Sequence, residues 1–188
     1  CTRGYGGTSS AKRRTNVSQY KEVLKQRKFR SLLAARTISN FGNGMSPTAL
    51  AFAIFALPNG NASTLSVVLT AGAIPLVVML PLGGVIADRM GRARVIASVD
   101  VILSVVVLAQ AYLFTQDDTS IFLLAALSAF TGVLNAIWYP AYPGLPADLV
   151  DEAHLQTANS FLSFGSNSAT IFGAAAGGWL VHAYGGAV

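Results

Sequence analysis

Hydrophobic residues run along this chain in long, nearly unbroken stretches separated by short polar breaks. A bilayer core about 30 Å thick needs about 20 apolar residues in helix to cross it. Five stretches qualify, at about 31–57, 64–87, 95–115, 120–143 and 157–183. The breaks between them are PNGNAS, a charged loop, QDDTS and the longer PGLPADLVDEAHLQ. After residue 30 no stretch carries the charged face that an amphipathic helix on a soluble core presents to water. The pattern predicts an all-α integral membrane protein with five transmembrane helices, and the lipid bilayer is its first expected partner.

Composition supports this and changes the meaning of the charge. Of the 188 residues, 53% are hydrophobic and only 11% charged, against about 25% charged in an ordinary globular domain. The net charge of +5 suggests nucleic acid until it is mapped. Nine of the thirteen Lys and Arg lie in residues 1–30, three more are Arg89, Arg92 and Arg94, and Arg36 alone lies elsewhere. That distribution is a topology signal, because cytoplasmic loops collect Lys and Arg. It predicts a basic cytoplasmic tail over 1–30, its first part disordered, and no nucleic-acid partner. The breaks at 58–63 and 116–119 hold no Lys or Arg and are read as external. The expected location is a cell membrane, specifically a bacterial inner membrane, with the N-terminus inside. Cys1 is the single cysteine, so no intrachain disulfide forms, and no spacing suggests a metal or an organic cofactor. Neither H-E-x-x-H nor G-x-S-x-G occurs, so an enzyme is not expected.

The charged break is GGVIADRMGRARV, residues 83–95. It lacks the G-x-G-x-x-G and G-x4-G-K-[ST] spacings of phosphate loops, and the apolar run before it is too long for a strand. Its charges sit oddly. Asp88 lies at the negative C-terminal end of the second helix, and Arg92 and Arg94 at the positive N-terminal end of the third. Each placement costs from a few tenths to about 1 kcal/mol unless partners offset it. Three partners are open: each other, the acidic break containing Asp148, Asp151 and Glu152, or another helix end.

The stretch resembles the loop between helices 2 and 3 of the major facilitator superfamily, G-x-L-A-D-R-x-G-R-K-x-x-L. Gly84, Asp88, Arg89, Gly91 and Arg92 match. Ile86, Ala93 and Ile96 depart from it, and Arg94 supplies a cation one place after the lost lysine. The resemblance implies a conformational gate at the cytoplasmic face, with Asp88 meeting a helix end in the other half of the protein. Asp148 is the candidate partner for Arg92. It also implies that these helices are the first five of a six-helix N-terminal bundle, incomplete here. The sixth helix and the C-terminal half are then expected beyond Val188.

On the fifth stretch, Gly165, Ala169, Gly173 and Gly177 recur every fourth residue, a spacing that lets membrane helices approach closely. Residues 173–178, GAAAGG, resemble the G-P-x-x-G-G motif of drug/proton antiporters, with Ala174 in place of proline and Gly178 closing it. Another face of this stretch carries Asn159, Ser163, Asn167 and Thr170. The first stretch carries Arg36, Asn40, Asn43 and Pro47, and the fourth Ser128, Thr131, Asn135 and Tyr142. Polar stripes facing lipid are expensive, so they should face a bundle interior or a watery cavity. Arg36, Asn40, Asn43, Asp100, Asn135 and Asn167 are the expected transport pathway. Arg36 and Asp100 fall at similar depths, about 7–9 Å from one face at 1.5 Å per residue, and could pair. Trp138, Tyr139, Tyr142, Trp179 and Tyr184 read as interfacial aromatics.

The openings ARTISNFGNG and LQTANSFLSF resemble the subgroup of enterobactin-type siderophore exporters and macrolide efflux proteins. The resemblance implies alternating-access efflux of a small-molecule substrate, driven by a transmembrane proton gradient. A non-transporting sensor or assembly protein on the same scaffold, or an importer, is the alternative.

Overall fold

The computed structural model describes residues 23–116 and 119–184, apart from the side chains of Asp148 and Tyr184. Every regular element among these residues is helical: α1 (Arg27–Ala56), α2 (Ala62–Met90), α3 (Arg92–Leu113), α4 (Ile121–Ala141) and α5 (Glu152–Tyr184). Two 3₁₀ turns, Tyr142–Gly144 and Pro146–Asp148, lie between α4 and α5. The disordered tail expected at the N-terminus lies largely outside the described residues. Its last part is helical, because Val23 and Phe29 give the basic segment an apolar face. Both are buried with Val150, Ala158 and Leu162.

The helix starts have local causes. Asn61 caps α2 by accepting a hydrogen bond from the Thr64 backbone N–H at 2.9 Å, and Ser120 caps α4 through Leu123 N–H at 3.4 Å. Both fill orphan donors of a first turn. Helix α5 starts at Glu152, five residues before the expected point, and places that acid where the helix dipole favours it.

Among the described residues three spans are long and apolar enough to cross a membrane: Ala62–Met90, Arg92–Leu113 and Ile121–Gly144. The expectation of five is corrected on this count. Helices α1 and α5 are long enough, but Arg36, Asn40 and Asn43 in one, and Asn159, Ser163, Ser166 and Asn167 in the other, dilute their hydropathy.

The chain divides into two compact units. One gathers α1 up to Ser46 with residues 146–180. Its seam is backbone against backbone. A side chain at Gly173 would overlap the Phe41 carbonyl, one at Gly44 the Thr170 backbone, and one at Gly177 would press on Met45. Ala169 is buried within the same row. The four-residue ladder therefore packs α5 on α1. Gly178 stands apart from it, with open space where a side chain would go.

The other unit runs chiefly from Pro47 to Leu145. Here α2 lies against α4 through a second glycine seam. A side chain at Gly132 would overlap the Gly72 carbonyl, and one at Gly83 the Ala136 carbonyl. Ser128, Gly132 and Ala136 form the facing row on α4, four residues apart. One end of this unit is closed by buried Ile54, Val68 and Leu124. Helix α3 buries Val95, Ile96, Val99 and Val106 and exposes Val101, Val105, Val107 and Leu108. One face packs and the rest suits lipid.

Candidate functional site: a charged helix junction and a polar strip

The charged break is shorter than the sequence suggested. Helix α2 continues to Met90 and α3 begins at Arg92, so the connection is the single residue Gly91. Its φ of 87° and ψ of 121° are accessible to glycine and strained for any side chain. Gly91 closes one helix and opens the next: its N–H donates to the Ala87 carbonyl at 3.2 Å, and its own carbonyl accepts from Arg94 and Val95, both at 3.1 Å. The charges are therefore on helix ends rather than in a loop. Ala87, Val95 and Ile96 are buried, while Asp88, Arg89 and Arg94 project into the open.

Of the three partners open to these charges, the structure supplies the nearest. Asp88 and Arg92 form an ion pair at 3.6 Å across Gly91, one helical turn apart in spacing. The pair offsets the unfavourable dipole placement of each member. With side-chain exposures of 71% for Asp88 and 41% for Arg92, it contributes at most about 1 kcal/mol. The pairing of Arg92 with Asp148 concerns a side chain outside the described set. Arg92 also lies over Gly144 in the 3₁₀ turn after α4, where an added Cβ would meet its guanidinium.

A side chain at Gly84 would meet Pro140 at ordinary contact distance. Its neighbour Gly83 makes the close approach to α4, which sequence reasoning missed. The signal was there: Ser128, Gly132 and Ala136 repeat every four residues, like the ladder that drew notice on α5.

Asp100 lies inside α3 and is half-buried. The Trp138 indole Nε1–H donates to its Oδ1 at 3.0 Å, tying α3 to α4. Trp138 also stacks on Tyr142, with ring centroids 4.8 Å apart and planes 14° from parallel, and meets Tyr139 edge-on at 5.7 Å. Trp138 is half-buried and ties α4 to α3; Tyr139 and Trp179 are exposed. Gln110 makes a second α3–α4 link by donating to the Ser128 hydroxyl at 3.3 Å.

In the α1–α5 unit, Arg36 is a buried cation at 5% exposure. The Asn40 amide donates to the Arg36 carbonyl at 2.8 Å and to the Ser166 hydroxyl at 3.1 Å, so it links the two helices. The polar strip on α5 faces the other way. Asn159, Ser163 and Asn167 are exposed, as is Asn43 on α1. Glu152, Gln156, Asn159, Ser160 and Ser163 line a shallow open depression of about 600 Å³. Asn135, on α4, is half-buried. Among the described residues no group of His, Cys, Asp and Glu could hold a metal ion.

The pattern of the Major Facilitator Superfamily matches residues 32–187. An uncharacterised MFS-type transporter of Bacillus subtilis (strain 168), YfiS, is 30% identical over 160 residues, covering 85% of this chain and 37% of that relative. The chain thus spans little more than a third of the relative's length. No solved structure matches the chain.

Proposed function

The chain belongs to the major facilitator superfamily, and on that premise we propose that it is part of the N-terminal half of a proton-coupled exporter of small molecules. Membership itself points to transmembrane transport by a multi-pass membrane protein rather than to an enzyme. The finer reading is efflux by alternating access, in the manner of siderophore and macrolide exporters. The chain lies in a bacterial inner membrane with its N-terminus inside, and works with a C-terminal half.

The observation that carries the reading is the polar strip on α5. Asn159, Ser163 and Asn167 lie on the side of the helix away from the glycine seam and are exposed. Amides and hydroxyls left facing hydrocarbon are costly, so this strip belongs to a water-filled path or to a partner domain. With Asn43 it supplies neutral donors and acceptors for a solute. Arg36 and Asn40 support the path from within α1; Asp100 and Asn135, on α3 and α4, remain proposed pathway residues of the other unit. The junction of Asp88, Arg89, Gly91, Arg92 and Arg94 is the gate. Its ion pair is exposed and weak enough to break and re-form against another partner at little cost.

The test is transport by the full-length protein in inside-out vesicles with an imposed pH gradient, using a catecholate siderophore and a macrolide as probes. Accumulation abolished by a protonophore and reduced by Asp88→Asn is the expected result. If neither probe moves under the gradient and Asp88→Asn changes nothing, the exporter reading is overturned.

A further inference from the structure

We propose that Gly144 is a positioning residue for Arg92, and that the absence of a side chain there sets where the guanidinium sits at the α2–α3 junction. The inference rests on the reading of that junction as a gate.

Gly144 is not required by its backbone. Among the described residues only Gly91 has a positive φ. Gly144 lies in an ordinary 3₁₀ turn, with Leu145 N–H donating to the Tyr142 carbonyl at 3.1 Å. Any residue could adopt that conformation, so the reason for glycine must be space. The space is taken by Arg92: a Cβ on Gly144 would fall among its Nη1, Cζ and Cδ atoms. The guanidinium therefore rests on bare backbone, at the end of α4 where the helix dipole is negative and a cation is favoured.

The turn itself cannot yield easily. Ala141 and Leu145 are buried on either side of it, and Pro143 stiffens its centre. The Arg92 side chain can yield, because it is long and its far end is partly exposed. A methyl at position 144 would thus leave the fold intact and push the guanidinium aside. Nη2 of that same group lies 3.6 Å from Asp88 Oδ1, so displacement re-aims the ion pair as well. One atom's worth of bulk, on a residue carrying no charge, would act on the gate through Arg92.

The test uses a reporter cysteine, Ser163→Cys, in an otherwise cysteine-free full-length protein in membrane vesicles. The rate of labelling by N-ethylmaleimide is compared for the parent, Gly144→Ala, Arg92→Ala and the double variant. The expected result is that Gly144→Ala shifts the rate in the same direction as Arg92→Ala, on the order of fivefold. The double variant should match Arg92→Ala alone, because the group that the methyl displaces is gone. Full addition of the two effects, or no effect of Gly144→Ala where Arg92→Ala has one, would sink the proposal while leaving the gate intact. If Arg92→Ala itself leaves the rate unchanged, the gate reading falls and the proposal with it. A lowered unfolding midpoint for Gly144→Ala would show that the backbone took the strain, and overturns the positioning role.

Discussion

The two units are built on the same device and present different outer surfaces. In one, α5 meets α1 at Gly44, Gly173 and Gly177; in the other, α2 meets α4 at Gly72, Gly83 and Gly132. Both seams let backbones touch, which replaces the hydrophobic drive that lipid cannot provide between membrane helices. Away from the seams they diverge. The α2–α4 unit exposes Val77, Val78, Val101, Val105 and Leu108, a surface suited to hydrocarbon. The α1–α5 unit exposes apolar residues as well, among them Ile38, Phe164, Ile171 and Phe172, and adds to them the polar strip of Asn159, Ser163 and Asn167, with Asn43 on α1. Packing and an apolar surface are thus shared, and the polar strip is what sets the α1–α5 unit apart.

The comparison breaks first at the seams. Gly83→Val places its branched side chain against the Ala136 carbonyl, and Gly173→Val does the same at Phe41. Neither clash can be relieved by turning a side chain, so each variant should cost about 1–3 kcal/mol or more of stability. Gly178→Val, in open space, should cost less than about 0.5 kcal/mol. Thermal unfolding in detergent measures all three. Equal losses at Gly173 and Gly178 would mean that the ladder is not the seam.

The next effect belongs to the tie between α3 and α4. Trp138→Phe keeps an aromatic ring, though a smaller one, and removes the donor to Asp100. A hydrogen bond to a charged group is worth about 1.5–3 kcal/mol, so a loss of that size is expected. In an Asp100→Leu background the same substitution should cost clearly less. A cycle without coupling would show that the indole and the carboxylate act independently.

In the α1–α5 unit the corresponding polar link is neutral. Asn40→Ala or Ser166→Ala removes one interhelical hydrogen bond, with an expected cost of about 0.6–2 kcal/mol. The coupling between the two substitutions should be smaller than that between Trp138 and Asp100. The reverse order would put the stronger polar link in the unit with the exposed strip and undo the contrast between scaffold and path.

What the sequence disclosed follows from the range of the physics involved. Apolar runs and short breaks are local, so the five helices were legible, and so was the small-residue ladder, because its period lies within one helix. Gly91 was visible as a motif position, but its role as the whole connection was not. That depends on a φ of 87° that no composition reveals. The Asp100–Trp138 bond joins residues 38 apart. The position of Trp138 near a helix end is local and was legible; its partner is not local and was not. Gly83 was passed over for Gly84 for the same reason: which of two adjacent glycines meets a neighbouring backbone is set by the crossing of α2 and α4. The apolarity of α1 and α5 was overestimated because length was weighed ahead of the amides and hydroxyls that interrupt them.

A small expected effect on stability separates structure from gate most sharply. Asp88 is 71% exposed and its contact with Arg92 is 3.6 Å long. Such a pair is screened by water and salt, and breaking it should change stability by no more than about 1 kcal/mol. Losing the carboxylate even removes a charge from an unfavourable helix end. Asp88→Asn should therefore unfold within a few degrees of the parent, and added salt should narrow the difference. Transport should nevertheless fall, because a gate depends on the balance between two conformations and not on the depth of either. A loss of several kcal/mol on Asp88→Asn would mean that the pair is a structural staple of the α2–α3 junction. The charged ends around Gly91 would then belong with the scaffold, on the same side of the comparison as the glycine seam.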